Sequence, residues 1–286
     1  MSSTDRVHTG IPGFDAMLDG GYLPKTTNLI EGPPGCGKST LGMQFIYEGT
    51  QLGEPGIIIT FEELPESYYR DAAAFGWDFR RLEHSGLLKV IITSPEVTKI
   101  DLERTGGILE RTMTEMGAKR IVVDSITHFE AAMVDTPEPT SKILPRKDAK
   151  ARQSSAPTCT ANEDTFAQRD RLYSFLNALK RQGLTTLITR EAMYLFGDEE
   201  ENQIDSGIHF IVDSYTMLRY VEIESTVKRA IIVLKMRGSN HDRTIRQFEI
   251  GTDGLIVTQP FEGQEGIMSG IPQRMAASFI KAFVRK

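Results

Sequence analysis

The 286 residues carry 40% hydrophobic and 25% charged side chains, the proportions of an ordinary folded domain rather than of a disordered or low-complexity chain. A net charge of −6 and a pI near 5.5 speak against a surface built to hold nucleic acid, and no apolar run approaches the roughly 18 residues that cross a bilayer. Two cysteines make no disulfide framework and Met1 to Arg6 is too polar for a secretion leader, so a cytoplasmic setting is expected.

In chain order, Thr9-Gly10-Ile11-Pro12-Gly13-Phe14-Asp15 reads as punctuation around a short helix that delivers the chain to a first strand at Thr26 to Ile30. Gly32-Pro33-Pro34-Gly35-Cys36-Gly37-Lys38-Ser39-Thr40 follows, matching G-x-x-x-x-G-K-[ST] at every fixed position, and a helical apolar pattern (Leu41, Phe45) leaves it. Strand, glycine loop and helix in that order make a cradle of inward N–H groups at a helix N-terminus, suited to a polyphosphate. Gly35, Cys36 and Gly37 supply the loop, Lys38 reaches the β- and γ-phosphates, Ser39 offers its hydroxyl to Mg²⁺, and Thr40 lies near the α-phosphate. Cys36 is either a small filler or an oxidation-sensitive thiol, and Cys159 falls in a Pro/Ser/Thr-rich stretch.

Further strands are predicted at Gly56 to Phe61, Leu87 to Ile92, Arg120 to Ser125 and Thr185 to Glu191, with helices near Glu66 to Phe75, Leu102 to Met116 and Gln168 to Arg181. This alternation predicts an α/β fold with a mainly parallel sheet flanked by helices. Beyond Glu191, Phe210 to Asp213, Thr216 to Ile223, Arg229 to Met236 and Thr244 to Ile250 read as strands on short turns, antiparallel additions at one edge. Residues 1–262 are thus expected to form one domain, interrupted at 134–165 by a proline-rich segment with little to bury. A tail over 263–286 ends in a short basic amphipathic helix, which either packs on the protein or docks on a partner or membrane surface.

Splitting a triphosphate needs a cradle, a metal, a positioned water and cations facing the γ-phosphate. Asp124 ends an apolar strand where a second metal-site carboxylate is expected. Glu62-Glu63 ends another strand at the same rim, and one of the two is placed to polarise the water; otherwise they are solvated or capping acids. Ser39, Asp124 and Glu62 make the candidate Mg²⁺ site, and Glu191 is either a γ-phosphate sensor or a surface acid. Lys235 and Arg237, two apart, project from one strand face; spacing alone fits an exposed basic turn as well as cationic fingers toward a neighbour.

Taken together, Thr9 to Asp15, the phosphate loop, Thr60-Phe61-Glu62-Glu63, Phe75-Gly76-Trp77-Asp78, Val123-Asp124-Ser125 and Lys235-Met236-Arg237-Gly238-Ser239-x-His241 resemble the KaiC-like branch of the RecA-superfamily ATPases. That resemblance covers about Thr9 to Ile271 and implies a RecA-like core forming a ring, typically hexameric, with ATP between subunits. It makes Glu62 and Glu63 the catalytic glutamates beside Lys38, and Asp124 the Walker B acid. Lys235, Met236, Arg237, Ser239 and His241 become residues that reach a neighbour's nucleotide, Arg229 an arginine near the phosphates, and Phe75 a residue lining the base. The clock members carry two such domains, and this chain is most similar to the second. The Ser-Thr pair that the second domain phosphorylates is replaced here by His209 and Phe210, so autokinase activity at that site is not implied.

The resulting expectation is an Mg²⁺-dependent ATPase in a homo-oligomeric ring with a regulatory or signalling role. A DNA-dependent RecA/RadA-like ATPase is the alternative, drawing on Lys142, Arg146, Lys147, Lys150 and Arg152 in the insertion. A third is an ATP-binding scaffold that recruits a protein partner through its tail.

Overall fold

A computed structural model describes residues 6–104, 106–127, 160–192, 207–223, 225–261, 264–265 and 273–274. The expected insertion at 134–165 falls mostly in 128–159, outside the described residues, as do Cys159 and the predicted tail helix. A nine-stranded sheet runs through the domain. Its strands are β1 Thr27–Gly32, β2 Gly56–Thr60, β3 Leu88–Ile92, β4 Arg120–Asp124, β5 Thr185–Glu191, β6 Ser214–Ile223, β7 Thr226–Met236, β8 Arg246–Gly251 and β9 Gly254–Pro260, in spatial order β3-β2-β4-β5-β1-β6-β7-β8-β9. From β3 to β6 every pairing is parallel; β7, β8 and β9 add antiparallel strands at one edge.

The inner strands read as continuous apolar runs because both faces are covered. Ile30, Ile58, Val122 and Leu187 face one core, with Leu41 and Phe45 of α2 (Lys38–Gln51), Tyr68 of α3 (Pro65–Ala74) and Phe79 of α4 (Phe79–His84). Their neighbours Leu29, Ile57, Ile121 and Ile188 face the other. That core takes Leu102 of α5 (Pro95–Glu103), Leu109 and Met113 of α6 (Ile108–Met116), Phe175 of α7 (Thr160–Arg181) and Ile208 of α8 (Ile208–Ile211). The short α1 (Phe14–Met17) packs Phe14 edge-on against Tyr22 in the first core.

Three sequence expectations are revised. The helix foreseen over Leu102 to Met116 is two helices, because Asp101 turns back and accepts from the Ile108 and Leu109 N–H groups at 2.7 and 2.6 Å, capping α6. A Cβ at Gly107 would lie 2.2 Å from the Asp101 carbonyl, so the break requires glycine there. Phe210 to Asp213 is not a strand: Ile208–Ile211 is a helical turn, since so short an apolar run fits either state. Strand β6 is not an antiparallel addition but the last parallel strand, with Asn28 opposite Ser214. In addition α7 begins at Thr160 rather than near Gln168, and α4 and β9 are elements that the apolar pattern did not disclose.

Candidate functional site

The ends of four parallel strands converge at one rim. Strand β1 runs into the glycine loop, and Gly32 lies opposite Glu191 of β5; Thr60 of β2 lies opposite Asp124 of β4. Between them opens a cavity of about 320 Å³ lined by Gly35, Gly37, Lys38, Ser39 and Thr40 from the loop, Glu62 and Glu63 after β2, Asp124, and Glu191. Residues far apart in sequence are therefore gathered by strand order alone, at the C-terminal edge where open α/β sheets bind ligands.

The loop has the shape of a cradle. Gly37 caps α2 at φ 111°, and a Cβ there would meet Ile250 at 2.7 Å. Cys36 is fully buried beneath the loop, with its sulfur 2.7 Å from where a Cβ on Gly32 would stand, and burial pushes its thiol up. This environment favours the filler reading of Cys36. Lys38 is 6% exposed, and its ammonium donates to the Gly32 and Pro33 carbonyls at 2.9 and 3.0 Å, 3.9 Å from Glu191 Oε1. Among the described residues lining the cavity it is the sole cation, against Glu62, Glu63, Asp71, Asp124 and Glu191.

That imbalance shows in the acids. Partial burial, then Asp124, Asp71 and Glu62 nearby, push the Glu63 carboxyl above the ordinary glutamate range. The backbone N–H groups of Glu62 and Glu63 bond Thr60 Oγ1 at 3.4 and 3.1 Å, which shapes the turn that presents both side chains. Asp124 is held at both oxygens, Oδ2 accepting from the Tyr68 phenol at 2.7 Å and Oδ1 from the Thr189 hydroxyl. Ser125 Oγ, also at the cavity, is buried without a hydrogen-bond partner.

Arg229 belongs to the same end of the molecule. It pairs across from Tyr220 with its guanidinium 5.8 Å from that ring, and a Cβ on Gly35 would lie 3.3 Å from the Tyr220 hydroxyl. Its Nε is buried and unpartnered, and its charge is felt at Cys36. An orphaned guanidinium nitrogen beside a glycine cradle fits a polyphosphate. The hydroxyl of Ser39 and the carboxylate of Asp124 fit Mg²⁺, which keeps its waters and takes remaining ligands from phosphate oxygens.

The remaining expected residues do not join this cavity. Phe75 packs on Trp77 (centroids 4.8 Å apart), whose ring stacks on Tyr47, and is not among the lining residues. Lys235 pairs with Tyr215, itself opposite Leu29, so it stands three residues down and two strands across from Gly32. At strand spacings that is on the order of 14 Å from the start of the loop. Its ammonium donates to the His209 and Val212 carbonyls at 2.6 and 2.8 Å, and Arg237 donates to the Phe210 carbonyl at 2.6 Å. Met236 is buried in the core, Ser239 accepts from Arg6 at 2.8 Å, and His241 Nε2 is buried without a partner. Burial, and secondarily Arg237, pull Lys235 below the usual lysine value; burial and Arg243 do the same to His241.

Behind the loop, on the α8 face, Glu31 is 2% exposed and bonds Arg190 and His209 at 3.0 Å each and the Tyr215 hydroxyl at 3.3 Å. Burial alone would raise it, but His209 and Arg190 outweigh that and hold its carboxyl below the usual range. Sequence reading missed this cluster as well as Tyr68 and Thr189. Their partners lie far away in sequence, across neighbouring strands or on a helix packed over the sheet, so no local pattern gives them away.

A parallel sheet with a glycine cradle after its first strand and an acid ending a neighbouring strand defines a P-loop nucleotide-binding protein. The KaiC ATPase family model matches residues 7–140 and 155–262, and the chain belongs to that family, an ATPase family of the RecA superfamily. It is 30% identical over 280 residues to the circadian clock protein KaiC3 of Synechocystis sp., covering 98% of this chain and 49% of that protein. It is 32% identical over 275 residues to the circadian clock oscillator protein KaiC of Nostoc sp., covering 96% and 46%. A UPF0273 protein of Pyrococcus furiosus is 31% identical over 265 residues, covering 88% of this chain and 93% of the relative. The chain thus spans about half the length of the clock proteins it matches. Among the described residues no helix is long and apolar enough to cross a membrane.

Proposed function

We propose that the protein is an Mg²⁺-dependent ATPase whose copies assemble head-to-tail into a ring, expected to be hexameric, and whose nucleotide state sets its shape or partners. The observation that carries this reading is the convergence of the phosphate loop, Glu62-Glu63 and Asp124 on one cavity, while Lys235 and Arg237 stand at the far end of β7. In one copy those cations are out of reach of the loop. In a head-to-tail contact, where unlike surfaces meet and the rotation closes, the basic end of one copy faces the cavity of the next.

In the reaction Lys38 exchanges the loop carbonyls for β- and γ-phosphate oxygens, and Arg229 adds charge beside Gly35. Ser39 and Asp124 would hold Mg²⁺, which when bound would supply charge neutralisation at the phosphates. Glu62 orients the attacking water and takes its proton, with Glu63 as the second acid of the turn. Lys235 and Arg237 of the adjoining copy offset the charge that builds on the γ-phosphate. Glu62→Gln tests the assignment: ATP binding by equilibrium dialysis should persist while turnover falls by a factor on the order of 10² to 10⁴. Unchanged turnover would refute it.

The DNA-dependent alternative leans on Lys142 to Arg152, which lie outside the described residues. No feature of the described surface favours it.

A further inference from the structure

Tyr68 belongs to none of the motifs that carry the family resemblance, yet it hydrogen-bonds Asp124 directly. It sits on α3, 3% exposed, packed in the core where that core lines the cavity. A phenol sunk there without a partner would be costly. This one donates to Asp124 Oδ2 at 2.7 Å, while Thr189 of β5 donates to Oδ1 from the other side. Two donors on two elements fix the plane of the carboxylate, and each oxygen keeps acceptor capacity for a further ligand. Next to Asp124 on the neighbouring strand, Thr60 accepts from the Glu62 and Glu63 N–H groups at its hydroxyl.

Thr60 therefore fixes the turn bearing the two glutamates beside Asp124, while Tyr68 and Thr189 hold the carboxylate itself. A residue that merely filled the core would be served equally well by phenylalanine.

We propose that Tyr68 is a positioning residue of the Mg²⁺ site: its hydroxyl, with that of Thr189 opposite, locks Asp124 in the orientation that receives the metal. The proposal rests on the ATPase reading above and adds to it the residue that orders the metal carboxylate. Partners of this kind, one bond removed from the ion, typically change metal affinity or activity by about 10- to 100-fold when removed.

The test is Mn²⁺ binding, followed by electron paramagnetic resonance, to the full chain in the presence of the non-hydrolysable β,γ-imido analogue of ATP. Tyr68→Phe should weaken Mn²⁺ at least about tenfold, while metal-free nucleotide binding and the melting temperature stay at wild-type values. In turnover assays the same variant should need more Mg²⁺ for half-maximal rate, and saturating Mg²⁺ should recover most of the rate. Tyr69→Phe, whose hydroxyl bonds Glu83 instead, is the control and should match the wild type. If Tyr68→Phe does not fold, Thr189→Val removes the opposing donor and should weaken Mn²⁺ in the same way. Wild-type Mn²⁺ affinity in Tyr68→Phe, alongside weakened binding in Asp124→Asn, would overturn the proposal and leave the ATPase reading standing. Failure of the wild type to bind Mn²⁺ with nucleotide, or indifference to Asp124→Asn, would overturn both.

Discussion

The cavity rim and the corner around α8 handle charge in opposite ways. At the rim five carboxylates face Lys38, Ser125 Oγ and Arg229 Nε go unpartnered, and Glu63 is pushed up. At the corner Glu31 is matched by Arg190 and His209 and held low, and Lys235 and Arg237 are tied to the carbonyls of the α8 turn. The His209 ring bonds Glu31 and its carbonyl accepts from Lys235, so one residue joins both sets. Interiors normally satisfy their polar groups, so the rim is arranged for something the chain does not itself supply. The corner is a finished structural unit that presents two cations at fixed positions.

Removing the rim's cation gives the largest expected effect. Lys38→Ala should weaken ATP by a factor on the order of 100 or more, measured by calorimetry, and abolish turnover with it. Retained affinity would mean that the loop does not cradle the phosphates. Arg237→Ala strikes the corner and should act on chemistry rather than binding. Turnover should fall by a factor on the order of 10³ with ATP affinity within about tenfold of wild type. Equal losses in both would instead mark Arg237 as a prop for α8.

The smallest effect is in titration. Tracked by carboxyl-carbon NMR, Glu63 should titrate above the ordinary glutamate value of about 4.3 and Glu31 below it. The linkage signs are opposite. Glu63 favours the folded chain most below the ordinary value and loses that contribution as pH rises through its elevated one. Glu31 contributes above the ordinary value and loses it as pH falls through its depressed one. Shifts in the same direction would erase the contrast between the two regions.

How much of this the sequence disclosed follows from range. The cradle was legible because nine contiguous residues carry it between a strand and a helix. The central strands were legible because burial on both faces makes them apolar throughout. The direction of β6 was not, since it depends on pairing Asn28 with Ser214 across most of the chain. The break between α5 and α6 hides in a cap formed by Asp101 on a helix that starts beyond two glycines. The contacts of Tyr68 and Thr189 with Asp124 span 56 and 65 residues, and no local pattern announces them. At the site, residue types pointed to Lys38, Glu62, Glu63 and Asp124, whereas the separation of Lys235 and Arg237 from their own loop needed the register of β6 and β7.

Sharing of the nucleotide site between copies is tested most directly by mixing two crippled variants. Lys38→Ala keeps an intact basic end and Arg237→Ala an intact cavity, and each alone should be inactive. Co-assembled in equal amounts, they should recover about a quarter of wild-type turnover per site, because random head-to-tail neighbours pair a good cavity with a good basic end that often. A mixture no more active than its components, from Arg237→Ala that is itself fully active or from rings shown to have mixed, would contradict a shared site.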